Sequence, residues 1–594
     1  MLSNRCLGFA LSVSLSLISF AFAQERANSS PPRSVQLAQA KAADAKAADP
    51  KAAKAAAQPA ITIVLNSAGE FLADIKFLFD LAGEPPARYD ALAGTLEAFL
   101  DGVDRTKPLG VQVFVDGTDF KYVAFFPVKT ADLKKFLDNL AGLGIKSKKQ
   151  PSGFYKLTGD FEGFLRPLTP GDQVVIGSTE ADVKLVTVPL VPIAGKSGDV
   201  VVLLDNSGQP AEERRKGMAT LRANTEKTLK KKEGESDLTF AVRKAATFQQ
   251  LDELERFFVD AAKILAAWTT SAKDKNATFE LDLTAIAGTS LEKSVQLLGT
   301  TDNLFGGIET KGTVASLTVN FPIDDLRKRH LAEQVKLTKA LIEFDANAAA
   351  NRTVEQKAAD KLVVAAISDA VDANIAAGSF NAFLRIHPNA GGKFAAVGGI
   401  HVADAAKVMA VLKAIETREG ADKVKFEADS EGDVKIHAFE IADVKKEAPE
   451  FLGADGKLYI GTGKDTLWIA TGNNAVEDLK TAIKSAKKEP ADQNKSTMID
   501  LQMRLGPWIE LLDGRRAKDD AAAPASAKTP EEKSKAKSRD MRKVAVATLK
   551  DCQDTLSFRL ELDGQTVKLR AQFDECLLKL AGKIAGKVVK EKLE

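Results

Sequence analysis

From residue 61 onward the apolar positions follow two periods, and the order in which those periods alternate is written twice. Runs of alternating or β-branched residues predict strands. Such runs fill 61–65, 111–115 and 122–126, the last two around the hairpin signal Asp116-Gly117. Spacings of three and four predict helices. Over 71–81 the residues Phe71, Leu72, Ile75, Leu78 and Phe79 recur at helical spacing, and over 129–140 Leu133, Phe136, Leu137 and Leu140 share a face. Thr130 is the expected N-cap of that second helix, with Asp132 in its first turn, where the helix dipole favours a carboxylate. Strands at 154–157 and 173–176 and a short helix after Thr179 follow.

The second round starts near Val314. SLTVNF stands where ITIVL stood, helices over 326–344 and 357–377 come next, and strands at 380–386 and 394–400 lead to a helix over 403–415. That helix places Val408, Met409, Leu412 and Ile415 on one face, and both rounds carry an Ala-Asp pair at this step, Ala131-Asp132 and Ala403-Asp404. Strands 424–426 and 434–436 surround Glu431-Gly432, and strands 458–460 and 467–470 flank Gly461-Thr462-Gly463. Each round then gives a strand, a helix opened by Pro210 or Pro507, a charged insert, a helix, a hairpin and a closing helix. The first insert, 223–236, reads as a solvated loop or helix end. The second, 515–539, is rich in Ala, Lys, Asp and Pro and reads as disordered. The closing helix is expected to turn Leu577, Leu580, Ile584 and Val588 inward. The fold class is therefore α+β: two similar domains, 61–311 and 312–594, each an antiparallel sheet packed by amphipathic helices, arranged as an internal duplication.

The segment before residue 61 changes the picture of where the chain works. Arg5, the apolar stretch 7–20 and Ala21-Phe22-Ala23 form a secretory signal peptide over 1–23. Residues 24–60 are an Ala/Lys/Pro-rich tether with too little apolar surface to order itself. No later stretch is apolar enough to span a bilayer. The expected location is periplasmic, extracellular or at the cell surface. Lys+Arg 83 against Asp+Glu 81 argues against nucleic acid as a partner and points to an envelope or extracellular one.

Three segments carry a family resemblance: ATFELDLTAIAGTSLE, KFAAVGGIHVADAAKVMAVLKAI and KLYIGTGKDTLWIATGNNAVEDLK. With them the chain resembles an uncharacterised family of predicted secreted proteins common in planctomycete-type bacteria. The resemblance covers most of the chain after Ile61. It implies secretion and the α+β layout, and it brings no activity, cofactor or binding residue.

Candidate chemistry is sparse. His330, His387, His401 and His437 have no metal-ligand spacing, and His401 and His437, in one unit, are the pair placed to approach in space. No Gly-x-Ser-x-Gly elbow occurs, and Gly461-Thr462-Gly463-Lys464 lacks the rest of a phosphate loop, so it reads as a hairpin turn. Trp268, Trp468 and Trp508 fall in apolar patterns and are expected to pack in cores. No catalytic residue, metal site or cofactor is expected. Cys552 and Cys576 are the two cysteines left after the leader, and counting outward from the Asp563-Gly564 turn brings them to disulfide range. The expected function is a non-catalytic binding or structural protein of the envelope. The alternatives are a carrier of lipid or another apolar ligand, and a hydrolase using paired carboxylates.

Overall fold

The computed structural model describes residues 58–116, 119–168, 171–186, 188–308, 312–348, 353–389, 393–440, 457–486, 496–521, 530–550 and 552–593. The leader and nearly all of the tether lie outside the described residues. The first half runs β1 (Ile61–Leu65), α1 (Ala68–Ala82), α2 (Pro86–Phe99), β2 (Leu109–Asp116), β3 (Asp119–Phe126), α3 (Leu133–Gly142), β4 (Ile145–Lys149), β5 (Tyr155–Gly159), β6 (Gly163–Leu168), β7 (Gln173–Gly177), α4 (Glu180–Leu185), β8 (Val200–Asp205), α5 (Ala211–Thr228), α6 (Asp237–Val259), β9 (Ala261–Ser271), β10 (Asn276–Ala285) and α7 (Ser290–Leu297). The second half gives the same order: β11 (Ala315–Pro322), α8 (Asp325–Ala348), α9 (Val354–Ala377), β12 (Ser379–Asn389), β13 (Lys393–His401), α10 (Ala405–Glu419), β14 (Val424–Glu431), β15 (Val434–Glu440), β16 (Lys457–Thr462), β17 (Thr466–Thr471), α11 (Ala475–Ala486), β18 (Thr497–Arg504), α12 (Leu505–Ala521), α13 (Pro530–Leu549), β19 (Thr555–Asp563), β20 (Thr566–Phe573) and α14 (Glu575–Leu593).

Every strand pairing is antiparallel, and the fold is α+β. From one edge the order is β4-β5-β6-β7-β3-β2-β1-β8-β9-β10. It continues as β20-β19-β18-β11-β12-β13-β17-β16-β15-β14. Read inward from either edge, the two halves have one topology. They meet where β10 pairs with β20, from Ala277 opposite Phe573 to Thr284 opposite Thr566. The halves expected as separate sheets therefore share one.

Alternation explains the layers at this seam. Leu281 and Leu283 on β10, Val567 on β20, and Leu560 and Leu562 on β19 turn to one face, where they join apolar clusters with Leu291, Val295 and Leu298. Glu280, Asp282, Lys568, Arg570, Arg559 and Glu561 turn to the other. There Lys196 reaches Glu280 at 2.7 Å and Asp282 at 3.2 Å, and Arg559 reaches Glu561 at 3.2 Å. Farther out both faces are covered. Val183 of α4 packs with Val123, Phe125 and Val175 on one side, and Phe136 and Leu140 of α3 pack with Leu157 and Leu165 on the other. In the second half α11 (Leu479, Ile483) and α10 (Leu412) hold the equivalent places.

Local sequence explains most boundaries. Ser67 caps α1 by accepting from the Glu70 amide, and Gly83, at φ 66°, ends it. Asp404 caps α10 through the Ala406 and Lys407 amides. Its counterpart differs: Thr130 and Asp132 belong to a 3-10 turn, and neither makes a side-chain cap bond for α3. The sheet's outer strands are poor templates for further pairing. β4 carries Lys146, Lys148 and Lys149, and β14 is interrupted by an irregularity between Lys425 and Asp429, with Glu427 at φ 49°.

Several sequence expectations need correction. β4 and β6 were not expected, because IKSKK has one apolar residue and GFLRPL holds Arg166 and Pro167. The helix α5 runs to Thr228, so the start of the 223–236 insert is a helix end, one of its two expected readings. The supposedly disordered stretch 515–539 is helical to Ala521 and again from Pro530, with only 522–529 outside the described residues. Its many Ala, Lys and Glu residues are good helix formers, and α12 and α13 pack on each other. The closing helix buries Leu578, Gly582, Gly586 and Val589, whereas Val588 is exposed. It docks on α1 and α2 of the opposite half.

Two contacts lock the halves through their helices. Gly582 and Gly586 let α14 approach the end of α1 so closely that a Cβ on Gly582 would collide with the Leu78 carbonyl oxygen. On the other side α6 packs on α8. Arg256 donates to both Asp324 carboxylate oxygens at 3.2 Å and 3.4 Å, Ser294 donates to Asp324 at 2.8 Å, and Arg327 forks onto Glu253 at 2.9 Å and 3.1 Å. Burial alone would raise the Asp324 pKa. Arg327, Arg256 and the backbone and hydroxyl donors outweigh it and hold the carboxyl below its ordinary 3.8.

Gly582→Val should lower unfolding stability by about 1–3 kcal/mol, read as a fall in the urea midpoint; an unchanged midpoint would refute the close helix approach. Because Asp324 is depressed in the folded state, its contribution is present above the ordinary carboxylate range and is lost as pH falls through the folded value. Asp324→Asn should therefore cost on the order of 3 kcal/mol at neutral pH and flatten part of the acid limb of the stability curve.

Candidate functional site

The residues singled out in the sequence do not converge. Cys552 and Cys576 form a disulfide with a Cα–Cα distance of 5.6 Å. It ties the start of α14 to the entry of β19, where the Cys576 amide donates to the Gln553 carbonyl at 2.9 Å. His401 lies on β13 and His437 on β15, with β17 and β16 between them, roughly three strand spacings of about 4.8 Å. His437 is 1% exposed; its Nδ1 accepts from the Glu427 amide at 3.0 Å and its Nε2 meets the Thr462 hydroxyl at 2.9 Å. Burial lowers its pKa. His330 meets Asp252 at 2.9 Å in the contact between α6 and α8. Among the described residues no group of three or more His, Cys, Asp or Glu is placed to hold a metal ion. Gly461 and Thr462 end β16, paired with Trp468 and Leu467, and Gly463 opens the hairpin turn to β17, its amide donating to the Thr466 carbonyl at 2.8 Å.

The tryptophans divide. Trp468 is buried between Phe305 and Phe383, with ring centroids 5.6 Å and 5.7 Å away, and Trp508 lies 4.6 Å from Phe394. Trp268 departs from the core-packing expectation: it is 36% exposed, beside Phe573 at 5.5 Å. β9 is a central strand, and its apolar sequence does not reveal this exposure.

A recess of about 260 Å³ lies in the first half, between the helix pair α1–α2 and the sheet. Its walls are Leu65, Ala68 and Leu72, then Leu96, Leu100 and Phe126, with Phe71 and Phe99 also in the lining. All are apolar. Phe99 is 56% exposed, so the recess opens past it to solvent. Phe126 ends the same face of β3 that carries Ala124, Tyr122 and Phe120, the last two 52% and 58% exposed. An apolar wall thus continues into an aromatic stripe. A second, wider groove of about 470 Å³ runs between α9 and α10, lined by Ala365, Ala366, Ala410 and Ala414 among Asp369, Lys407 and Lys413.

One carboxyl pair stands out. Asp74, on α1 one turn beyond Phe71, lies within the electrostatic reach of Asp199 in the approach to β8. Burial, then the charge of Asp199 and a hydrogen bond to it, then Glu70, raise Asp74 from 3.8 to about 7. Asp199 is anchored: its second carboxylate oxygen accepts from the Thr270 amide at 2.6 Å, and its own amide donates to the Trp268 carbonyl at 2.7 Å. Neither aspartate lines the recess.

No family model matches this chain, and no curated protein does. Two solved structures, crystal forms IV and III of TP0453, align at 10% and 9% identity. They cover 38% and 41% of this chain and 77% and 84% of theirs, with TM-scores of 0.20 and 0.19, too low to carry an argument. Among the described residues no helix is long and apolar enough to cross a membrane.

The disulfide closes a 24-residue separation, so reduction or a Cys552→Ala/Cys576→Ala double variant should cost roughly 3 kcal/mol, seen as a lower urea midpoint. Equal midpoints with and without reductant would exclude that role.

Proposed function

We propose that the chain is an exported, non-catalytic binding protein whose ligand inserts an apolar group into the recess beneath α1 and α2. The observation that carries this reading is the wholly apolar lining, continuous with the exposed face of β3. A desolvated apolar opening favours an apolar occupant, because any polar group placed there would lose water without gaining a partner. The recess, at about 260 Å³, lies below the roughly 300–1,000 Å³ of ordinary small-molecule pockets. That size fits one ring or the end of a chain and favours a binding module over an enclosed lipid carrier. Export is supported by the leader at 1–23 and by an oxidised cysteine pair. Asp74 gives the hydrolase alternative an acid near neutrality, but Asp74 and Asp199 both sit outside the recess and Asp199 accepts from the Thr270 amide.

Titration of the mature chain with the apolar fluorophore N-phenylnaphthylamine tests the reading. Saturable binding is expected, and Leu96→Trp, which fills the recess, should weaken it about tenfold or more. Absence of saturable binding, or equal affinity in the filled variant, would overturn it.

A further inference from the structure

We infer that the first half docks on an anionic lipid surface through the sheet face that carries α4, with Val188 and Val191 entering the headgroup layer and Lys146, Lys148, Lys156 and Arg166 meeting its phosphates. This surface is separate from the recess, whose wall at Phe126 belongs to the α3 face.

The lysines come from the outer hairpin. Lys148 of β4 stands directly opposite Lys156 of β5, and Lys146 stands opposite Thr158. Leu157 and Leu165 turn to the α3 face, so alternation sends Lys146, Lys148, Lys156 and Arg166 to the α4 face. The three lysines are exposed, and neither β4 nor β5 contains an acidic residue. Among the described residues neither these lysines nor Arg166 pair with a carboxylate. Like charges directly opposite each other on neighbouring strands are destabilising. Lysines on β4 alone would serve to guard the edge of the sheet. Lys156 has no such use, because β5 is paired on both sides, with β4 and β6.

The charge continues inward around an aromatic ring. The Arg166 guanidinium lies 5.9 Å and the Lys184 ammonium 5.5 Å from the centre of the Phe154 ring. Arg166 also donates to the Val186 carbonyl, and burial lowers its pKa with no carboxylate to offset it. The acids of this region leave that charge unanswered. Glu180 is joined to Lys184 at 2.7 Å, Asp182 accepts from the Thr179 amide within the α4 cap, and Asp172 lies in the turn between β6 and β7.

The apolar part is a loop fixed at its centre. Beyond Val186 the chain carries Val188-Pro189-Leu190-Val191-Pro192. The Gln173 side chain, 7% exposed, donates to the Leu190 carbonyl at 2.7 Å and accepts from the Leu190 amide at 2.8 Å. Leu190 is buried in the cluster under α4, and Pro189 sits against Gly171. Val188 and Val191, on either side of this anchor, are 66% and 65% exposed. The clamp therefore holds two valines in water, next to a segment bonded to an arginine that has no acidic partner. Apolar tips beside basic side chains suit the zone where acyl chains give way to charged headgroups. An acidic soluble polymer would answer the lysines but not the valines.

Co-sedimentation of the mature chain with vesicles tests the dock. Phosphatidylcholine vesicles containing about a third phosphatidylglycerol should retain the chain, and pure phosphatidylcholine should not. Raising the salt from about 0.05 M to about 0.5 M should release most of it. The variant Lys146→Gln/Lys148→Gln/Lys156→Gln should weaken partitioning roughly a hundredfold, and Val188→Ser/Val191→Ser about tenfold. All five positions are exposed, so the urea midpoint of each variant should match or exceed that of the wild type. Equal retention by the two kinds of vesicle, or unchanged partitioning in either variant, would overturn the dock. Binding to polyglutamate without binding to the anionic vesicles would also overturn it, and would assign the lysines to an acidic polymer.

Discussion

The backbone ladder between β10 and β20 is the constraint on which the molecule depends. A half on its own would end in a long antiparallel edge with a row of unpaired amides and carbonyls, a template for the wrong partner. Pairing the two edges removes both at once. It leaves β4 and β14 as the outer strands, one lysine-rich and the other irregular. The ladder also decides where the helices go. Because the apolar residues of β10, β20 and β19 all turn to one side, helices from both halves share that side. The natural contacts are then crossed: α6 leans on α8, and α14 leans on α1.

The crossed contacts are unlike each other, although the topology is the same. On the α6 side the join is ionic and buried, with Arg256, Asp324, Arg327 and Glu253 satisfying one another and the first amides of α8. A buried network of this kind adds little net stability but penalises any packing that leaves one member unpaired. On the α14 side the join is steric: Gly582 lies against the Leu78 backbone, and Gly586, one turn on, makes room for the Glu84 side chain. Helix lengths compensate. α1 and α2 have 15 and 14 residues against 24 each in α8 and α9, whereas α14 has 19 against 8 in α7. The longer C-terminal helix covers what the shorter pair leaves bare.

The order of elements could be read from the residues because most strands and helices here obey one period each. The hairpins at Asp563-Gly564 and Glu431-Gly432, the helix over Leu133 to Leu140 and the disulfide all followed from local pattern. What escaped has physical causes. β4 and β6 are held by pairing with their neighbours, which propensity does not register. The α14 contact face is written in glycine, so a search for apolar residues at helical spacing pointed one position off. The insert at 515–539 was judged by its low apolar content, although Ala and Lys are strong helix formers once another helix offers a surface. The recess was less legible still. Its walls, Leu65, Leu72, Leu96 and Phe126, look like ordinary core residues. Only the register of α1 and α2 over the sheet shows that a gap remains between them.

That gap is a consequence of helix length rather than of any special residue. In the second half α8 and α9 zip together through Val335, Ile342, Val364 and Ile375, and α9 lies along α10. In the first half the pair is nine or ten residues shorter per helix, roughly 14 Å of missing cover. Part of that loss is made up by α14, which packs on the outer side of α1 and not over Phe126. One topology thus carries two helix covers of unequal length, and the shorter one leaves the apolar recess beside Phe126 open past Phe99.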